Sequence, residues 1–100
     1  MRLQGYGRDV STVIVRLFAT LRDVSGSERV VVEASSLFEV DRLLRERFGD
    51  AMGSLLGSAD APLEGVVVLL NGITLTDDEL SKVSLNDGDE VAIFPPISGG

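Results

Sequence analysis

The last six residues are the segment whose residue types, in their order, most suggest a reacting group. They are Pro95, Pro96, Ile97, Ser98, Gly99 and Gly100. Consecutive prolines favour an extended polyproline II backbone, and glycine has no Cβ, so a Gly-Gly end can pass through a channel too narrow for other residues. We therefore expect a projecting tail whose reactive atoms are those of the Gly100 α-carboxylate. A frayed terminus without a role is the alternative, but it does not explain the stiff double-proline exit.

Two side chains that often perform catalysis are absent from this sequence. It has no cysteine and no histidine, which excludes disulfides, thiol nucleophiles, Cys/His zinc sites and histidine-based triads. Lys82 is the one lysine, and no glycine-rich phosphate loop precedes it. The acidic run at 77–79 is predicted to cap a helix, and Asp87 and Asp89 to flank a turn, rather than to bind a metal. The end of the chain is thus the remaining candidate for a reacting group.

The first half of the chain reads as a strand hairpin followed by one long helix. β-Branched residues predict strands at 12–18 and 28–33, joined through a turn cluster at 19–27. Ser36-Leu-Phe-Glu39 fits a capping box, and Gly49 is placed to end the helix. Residues 51–65 are predicted to form a loop or a broken helical turn.

The second half adds further strands around tight turns. A strand at 65–72 ends in Asn71-Gly72, a strong turn signal, and is followed by a short return at 73–75. Thr76 starts a second capping box and a short helical turn, and 90–94 is the last strand. The order predicts an α+β fold, a β-grasp (ubiquitin-like) roll with a mixed sheet and one main helix across one face. Residues 1–11 are predicted to be a flexible N-terminal extension to a domain at 12–100.

Strand alternation leaves more apolar surface than one helix can cover. The residues expected on the second face of the sheet are Ile14, Phe18, Val67, Leu69 and Phe94. Exposed apolar patches of this kind mark protein interfaces, so we expect these five residues to contact a partner. The alternative is that the loop at 51–65 covers them.

Length and charge narrow the expected partners. One hundred residues with a net charge of −7 make one small acidic domain. Residues 51–100 hold eight acids and a single cation, Lys82. Nucleic acid and anionic membranes are poor partners for such a chain, whereas a basic protein surface fits it, although surplus acid also serves solubility. With neither a signal peptide nor a long apolar run, the sequence predicts a cytoplasmic protein.

The C-terminal segment resembles a known family. Residues 87–100, DGDEVAIFPPISGG, together with Val15-Arg-Leu-Phe-Ala19 and Leu70-Asn-Gly72, closely resemble the sulfur-carrier (small) subunit of molybdopterin synthase, of the MoaD/ThiS-type ubiquitin-like family. The resemblance covers residues 12–100 and leaves the N-terminal extension without a role.

The resemblance implies a protein-bound co-substrate rather than an enzyme. An E1-like adenylyltransferase would use ATP to adenylate the Gly100 carboxylate, and a sulfur donor would displace AMP to leave a thiocarboxylate. The large subunit of molybdopterin synthase would then accept the tail, and the sulfur would attack the pterin precursor of the molybdenum cofactor. Gly99, which has no Cβ, would let the tail pass through the partner's narrow channel. Ile97 and Phe94 would dock the tail. The carrier itself would bind no cofactor.

Three other functions are compatible with the same residues. A ubiquitin-like modifier would join Gly100 to lysines of other proteins. A sulfur carrier for thiamine or tRNA thiolation would use the same tail, since the fold alone does not separate acceptors. A β-grasp interaction module would bind through its sheet and would not need Gly99 and Gly100.

Overall fold

A computed structural model of the chain describes residues 10–96. The tail residues Ile97, Ser98, Gly99 and Gly100 lie outside the described residues, as do residues 1–9 of the predicted extension. Ser11, which was assigned to that extension, already belongs to the first strand.

Five strands and three helices follow one another along the described chain. They are β1 (Ser11–Leu17), α1 (Thr20–Ser25), β2 (Arg29–Ala34), α2 (Leu37–Leu56), β3 (Val67–Leu70), β4 (Ile73–Thr74), α3 (Asp77–Leu80) and β5 (Glu90–Phe94). The strands form one sheet in the order β2-β1-β5-β3-β4. β1 and β5 run parallel, and the other neighbours run antiparallel. This mixed sheet with one long helix confirms the predicted β-grasp fold.

The connection between the first two strands differs from the predicted turn cluster, because it contains the six-residue helix α1. The serines and glycine that suggested a turn instead end this helix: Gly26 is left-handed (φ 73°) and its N–H donates to the Arg22 carbonyl at 2.8 Å. Leu21 is fully buried and ties α1 to the core. The predicted hairpin pairing is confirmed, with Ser11 opposite Ala34 and Arg16 opposite Arg29.

Helix α2 continues beyond its predicted end. Ser36 caps its start by accepting the Glu39 N–H, and Gly49 breaks its course with φ 77° and ψ −158°. Of the two alternatives predicted for residues 51–65, the broken helical turn describes residues 51–56, because the helix resumes after Gly49 and continues as far as Leu56. Met52 and Leu56 are fully buried, and burial of apolar side chains at this spacing favours a helix despite the nearby glycines.

One core lies between the sheet and α2. The inward residues of the strands alternate as predicted, and the fully or almost fully buried ones are Val13, Val15, Leu17, Ala34, Val68, Val91 and Ile93. Leu63, from the segment after α2, joins the same cluster. That segment therefore packs into the core instead of covering the second face of the sheet.

A buried carboxylate holds this segment in place. Asp41, on α2, is 3% exposed. Its Oδ1 accepts from Arg45 Nε at 2.6 Å and its Oδ2 accepts the Leu63 N–H at 3.2 Å. Arg45 also donates to the Gly57 carbonyl at 2.7 Å. The pair thus joins α2 to both ends of the segment from Gly57 to Leu63.

The predicted caps and turns of the second half are confirmed. Thr76 and Glu79 form a complete capping box at α3, and Asn71 and Gly72 take positive φ values of 50° and 89° between β3 and β4.

Within residues 10–96 no three acidic, histidine or cysteine side chains come together in a way that could hold a metal ion. No helix in this range is long and apolar enough to cross a membrane.

Candidate functional site

The tail begins at the end of the central strand of the sheet. β5 lies third in the strand order, between β1 and β3. The last bond from β1 is donated by the Phe18 N–H to the Ile93 carbonyl at 3.2 Å. Pro95 is half-buried and Pro96 is exposed, and neither has an N–H to continue the ladder. The sequence thus forces the chain out of the sheet directly after Phe94.

Two aromatic rings lie beside this exit. Phe18 and Phe94 stack with ring centroids 4.2 Å apart and an interplanar angle of 10°. Val67 stands opposite Phe94 in the antiparallel pair, and Leu69 stands opposite Ala92. Val67 is 39% exposed, and Leu69 and both rings are half-buried. We call Phe18, Phe94, Val67 and Leu69 the outer patch.

The fifth residue expected in this interface lies apart from the outer patch. Ile14 shares the outer face of β1, but its neighbours across the sheet are Val31 of β2 and Glu90 of β5. Arg16 occupies the position between Ile14 and Phe18 on that face. The structure therefore brings four of the five predicted residues together and separates the fifth from them by a charged side chain.

Arg16 is the site residue to which the sequence assigned no role. Its guanidinium donates to Glu90 at 3.1 Å and to Glu28 at 3.2 Å, and its Cζ lies 5.4 Å from the centroid of the Phe18 ring. The hydrogen bond to Glu90, followed by the one to Glu28, raises the pKa of Arg16 above its ordinary value. A permanent cation thus borders the outer patch. The alternation of Ile14, Arg16 and Phe18 in the sequence is the pattern that indicates that Arg16 shares a face of the sheet with the patch.

The backbone after Phe18 is strained. Ala19 has φ 53° and ψ −126°, a conformation that favours glycine and costs on the order of 1–3 kcal/mol in other residues. The Leu21 N–H closes this turn by donating to the Phe18 carbonyl at 3.1 Å. The turn lets the chain pass from an outer-face ring to Leu21 in the core within three residues, so that α1 packs beside α2 and β1.

Curated relatives of this chain come from an archaeon. It is 32% identical over 89 residues to small archaeal modifier protein 3 of Haloferax volcanii, covering 86% of this chain and 96% of that protein. It is 35% identical over 97 residues to small archaeal modifier protein 1 of the same organism, covering 85% of this chain and 97% of that protein.

Solved structures share the same architecture. The solution structure of the Haloferax volcanii HVO 2177 protein superposes with a TM-score of 0.78 at 29% identity, covering 96% of this chain and 100% of that one. A chain from the complex of subunits 1 and 2 of the molybdopterin-converting factor of Helicobacter pylori superposes with a TM-score of 0.61 at 27% identity, covering 89% of this chain and 99% of that one.

The match to a family extends through the tail. Residues 15–100 match the model of the ThiS family, a range that includes the last three residues of β1, the outer patch, the double-proline exit and both terminal glycines. With this match and the ubiquitin-like β-grasp architecture, the chain belongs to the ThiS family.

Proposed function

We propose that this chain is a ubiquitin-like sulfur carrier whose Gly100 α-carboxylate is activated by an E1-like adenylyltransferase. The observation that carries the proposal is the exit of the central strand β5, through two prolines and beside a stacked aromatic pair, into a segment that the family match follows as far as Gly100. A rigid sheet at the root of the segment and glycines at its tip suit insertion into a partner's active site.

The proposed chemistry needs no acid or base from this chain. A carboxylate oxygen of Gly100 attacks the α-phosphorus of ATP, and pyrophosphate leaves. Hydrosulfide from a sulfur donor then attacks the carbonyl carbon, the carbon–oxygen bond to AMP breaks, AMP leaves, and loss of the sulfur-bound proton gives the thiocarboxylate. Adenylation is required because a carboxylate oxygen is a poor leaving group, whereas AMP is a good one. ATP belongs to the activating enzyme.

The outer patch is proposed to dock the partners. Phe18, Phe94, Val67 and Leu69 present an apolar surface at the root of the tail, and Ile97, as the next apolar residue in the sequence, is proposed to take part in the same docking. Arg16 and its two glutamates border the surface with fixed charges, which would set the orientation of a partner more than its affinity. Ile14 would contribute only to an interface that extends across Arg16 toward β2.

Molybdopterin synthesis is the acceptor pathway that we propose for the sulfur. Its support is the similarity to a chain of the Helicobacter pylori molybdopterin-converting factor and the resemblance of residues 87–100 to small synthase subunits. The corresponding partner would be the large subunit of molybdopterin synthase. Thiamine and tRNA thiolation would use the same thiocarboxylate.

Protein modification is the second candidate, favoured by the two relatives that are named as small archaeal modifier proteins. Here the ε-amine of a lysine in another protein would attack the activated Gly100 carbonyl, AMP would leave, and an isopeptide bond would form with loss of a proton. The first step is the same in both functions, so activation of Gly100 tests them together and the acceptor separates them.

Intact mass spectrometry tests the proposal. The chain is incubated with the E1-like enzyme of its host, ATP and sulfide, with and without a host extract. We expect the mass gain of one oxygen replaced by sulfur, absent when Gly99 and Gly100 are deleted and retained in the control variant Gly53→Ala. A ladder of larger conjugates without sulfur gain would favour the modifier. An unchanged mass in every reaction would contradict activation and support the interaction module.

A further inference from the structure

One edge of the sheet is long and unpaired among the described residues. β2 stands at the end of the strand order and spans six residues, whereas β4 at the other end spans two. The Leu17 N–H donates to the Glu28 carbonyl at 2.9 Å. Because antiparallel pairs alternate between bonded and non-bonded positions, this bond and the β1–β2 register direct the N–H and C=O groups of Arg29, Val31 and Glu33 away from β1.

The side chains on this edge are exposed and carry unpaired charges. Arg29, Val31 and Glu33 all lie on the outer face, and Val31 is 54% exposed. Within the range 10–96 neither Arg29 nor Glu33 forms an ion pair. The Arg29 carbonyl accepts from Ser27 Oγ at 2.9 Å, which leaves its second lone pair available.

Helix α2 does not close off this edge. A groove of about 380 Å³ lies between β2 and α2 and has Val31, Leu43 and Arg47 among its lining residues. Leu43 is half-buried. An incoming strand would therefore meet β2 backbone groups that have no strand partner within residues 10–96, and beside them a groove that Glu33 and Glu46 also line. Such an open edge is what strand addition requires.

We propose that β2 pairs antiparallel with β2 of a second copy of this chain, about a twofold axis through Val31. The sequence of the edge is self-complementary in charge, because the twofold rotation about Val31 places Arg29 of each copy opposite Glu33 of the other copy. Each opposed pair exchanges both of its N–H···O=C bonds, and the twofold axis forms the Arg–Glu contact twice. The two sheets become one continuous sheet.

This charge pattern selects a second copy over an unrelated peptide. A strand of another protein would need acid and base at the complementary positions, whereas a second copy supplies both without further assumption. The outer patch lies on β3, β5 and the residue that follows β1, so pairing through β2 leaves it open. The inference therefore stands independently of the proposed activation of Gly100.

Sedimentation equilibrium of the full chain tests the pairing over concentrations up to about 1 mM, so that even an association with a dissociation constant of about 1 mM is visible. We expect a reversible monomer–dimer equilibrium. Arg29→Glu and Glu33→Arg should each weaken it about tenfold, since opposite charges across a strand pair become like charges at both symmetric contacts. An equimolar mixture of the two variants should dimerise at least as well as the wild type, because every opposed pair then joins opposite charges.

Controls and a second measurement keep the proposal open to refutation. Arg22→Glu and Glu64→Arg make the same charge changes at exposed positions away from the edge and should leave dimerisation unchanged. In the wild-type chain, hydrogen exchange at the Arg29, Val31 and Glu33 amides should slow as concentration rises. A monomer at every concentration would overturn the proposal. The charges of Arg29 and Glu33 would then be explained as protection of the edge strand against aggregation. The proposal would also be overturned if Arg29→Glu and Glu33→Arg both dimerised as tightly as the wild type. It would equally be overturned if the equimolar mixture of the two variants dimerised no more tightly than either variant alone.

Discussion

Replacement of Asp41 by asparagine tests how the segment after α2 is held. Asp41 is 3% exposed and accepts hydrogen bonds from Arg45 and from the Leu63 N–H. Asparagine preserves the shape and one acceptor oxygen, but it removes the charge that compensates Arg45, whose side chain is 21% exposed. The amide also brings an N–H₂ group toward donors, so one of the two contacts is lost outright.

The expected cost follows from these contacts. Hydrogen bonds to charged groups contribute about 1.5–3 kcal/mol each, and removal of one partner of a buried ion pair costs about 3–5 kcal/mol. Asparagine keeps part of the hydrogen-bond contribution, and Arg45 keeps its bond to the Gly57 carbonyl. We therefore expect the free energy of unfolding to fall by about 2–3 kcal/mol. For a domain of this size that lowers Tm by roughly 10–20 °C.

Urea unfolding followed by circular dichroism measures the loss directly. Asp78→Asn is the matched control, because Asp78 also bonds a cation four residues away, Lys82 at 3.1 Å, but its side chain is 83% exposed. Exposed pairs of this kind contribute about 0–1 kcal/mol. Equal losses in the two variants, or a loss below about 0.5 kcal/mol at Asp41, would refute the claim that the buried carboxylate anchors the segment.

Three further substitutions test other parts of the account. Gly49→Ala should cost about 1–3 kcal/mol of unfolding free energy, since its φ and ψ suit glycine alone, while Gly53→Ala in regular helix should not destabilise; equal midpoints in urea would contradict this. Ala19→Gly should stabilise by about 1 kcal/mol, because relief of strain exceeds the added chain entropy; a lower Tm would show that Ala19 is unstrained. Phe18→Asp should cost about 1 kcal/mol through the lost stack on Phe94 and should lower affinity for the proposed partner, the large subunit of molybdopterin synthase, in calorimetry; unchanged affinity, or loss of the folded circular dichroism spectrum, would count against the outer patch.

Local patterns were sufficient for the elements whose signals lie within a few residues. The alternation in β1, the Asn71-Gly72 turn and the capping box at Thr76 each depend on neighbours in sequence, and each is present in the structure. Helix α1 was missed because Ser25 and Gly26 are equally suited to a turn and to a helix end. The choice between them depends on burial of Leu21, a tertiary contact.

The residues that the sequence could not assign depend on long-range contacts. Arg16 meets Glu90 across 74 residues of chain, and only the parallel register of β1 and β5 brings them together. Asp41 and Arg45 show the spacing of an ordinary surface pair on a helix, and their burial becomes visible only once Leu63 is placed. The division of the predicted interface has the same origin, because strand order decides which neighbours Ile14 has.

Adenylation of Gly100 is the central claim, and ATP–pyrophosphate exchange measures it most directly. Purified chain is added to the E1-like enzyme of its host with ATP and labelled pyrophosphate, and incorporation of label into ATP is followed. We expect exchange that depends on the chain, falls sharply in Gly100→Ala because a methyl group must enter a channel suited to glycine, and is lost when Gly99 and Gly100 are deleted. Exchange at the same rate with all three forms would contradict the claim that this carboxylate is the group that reacts.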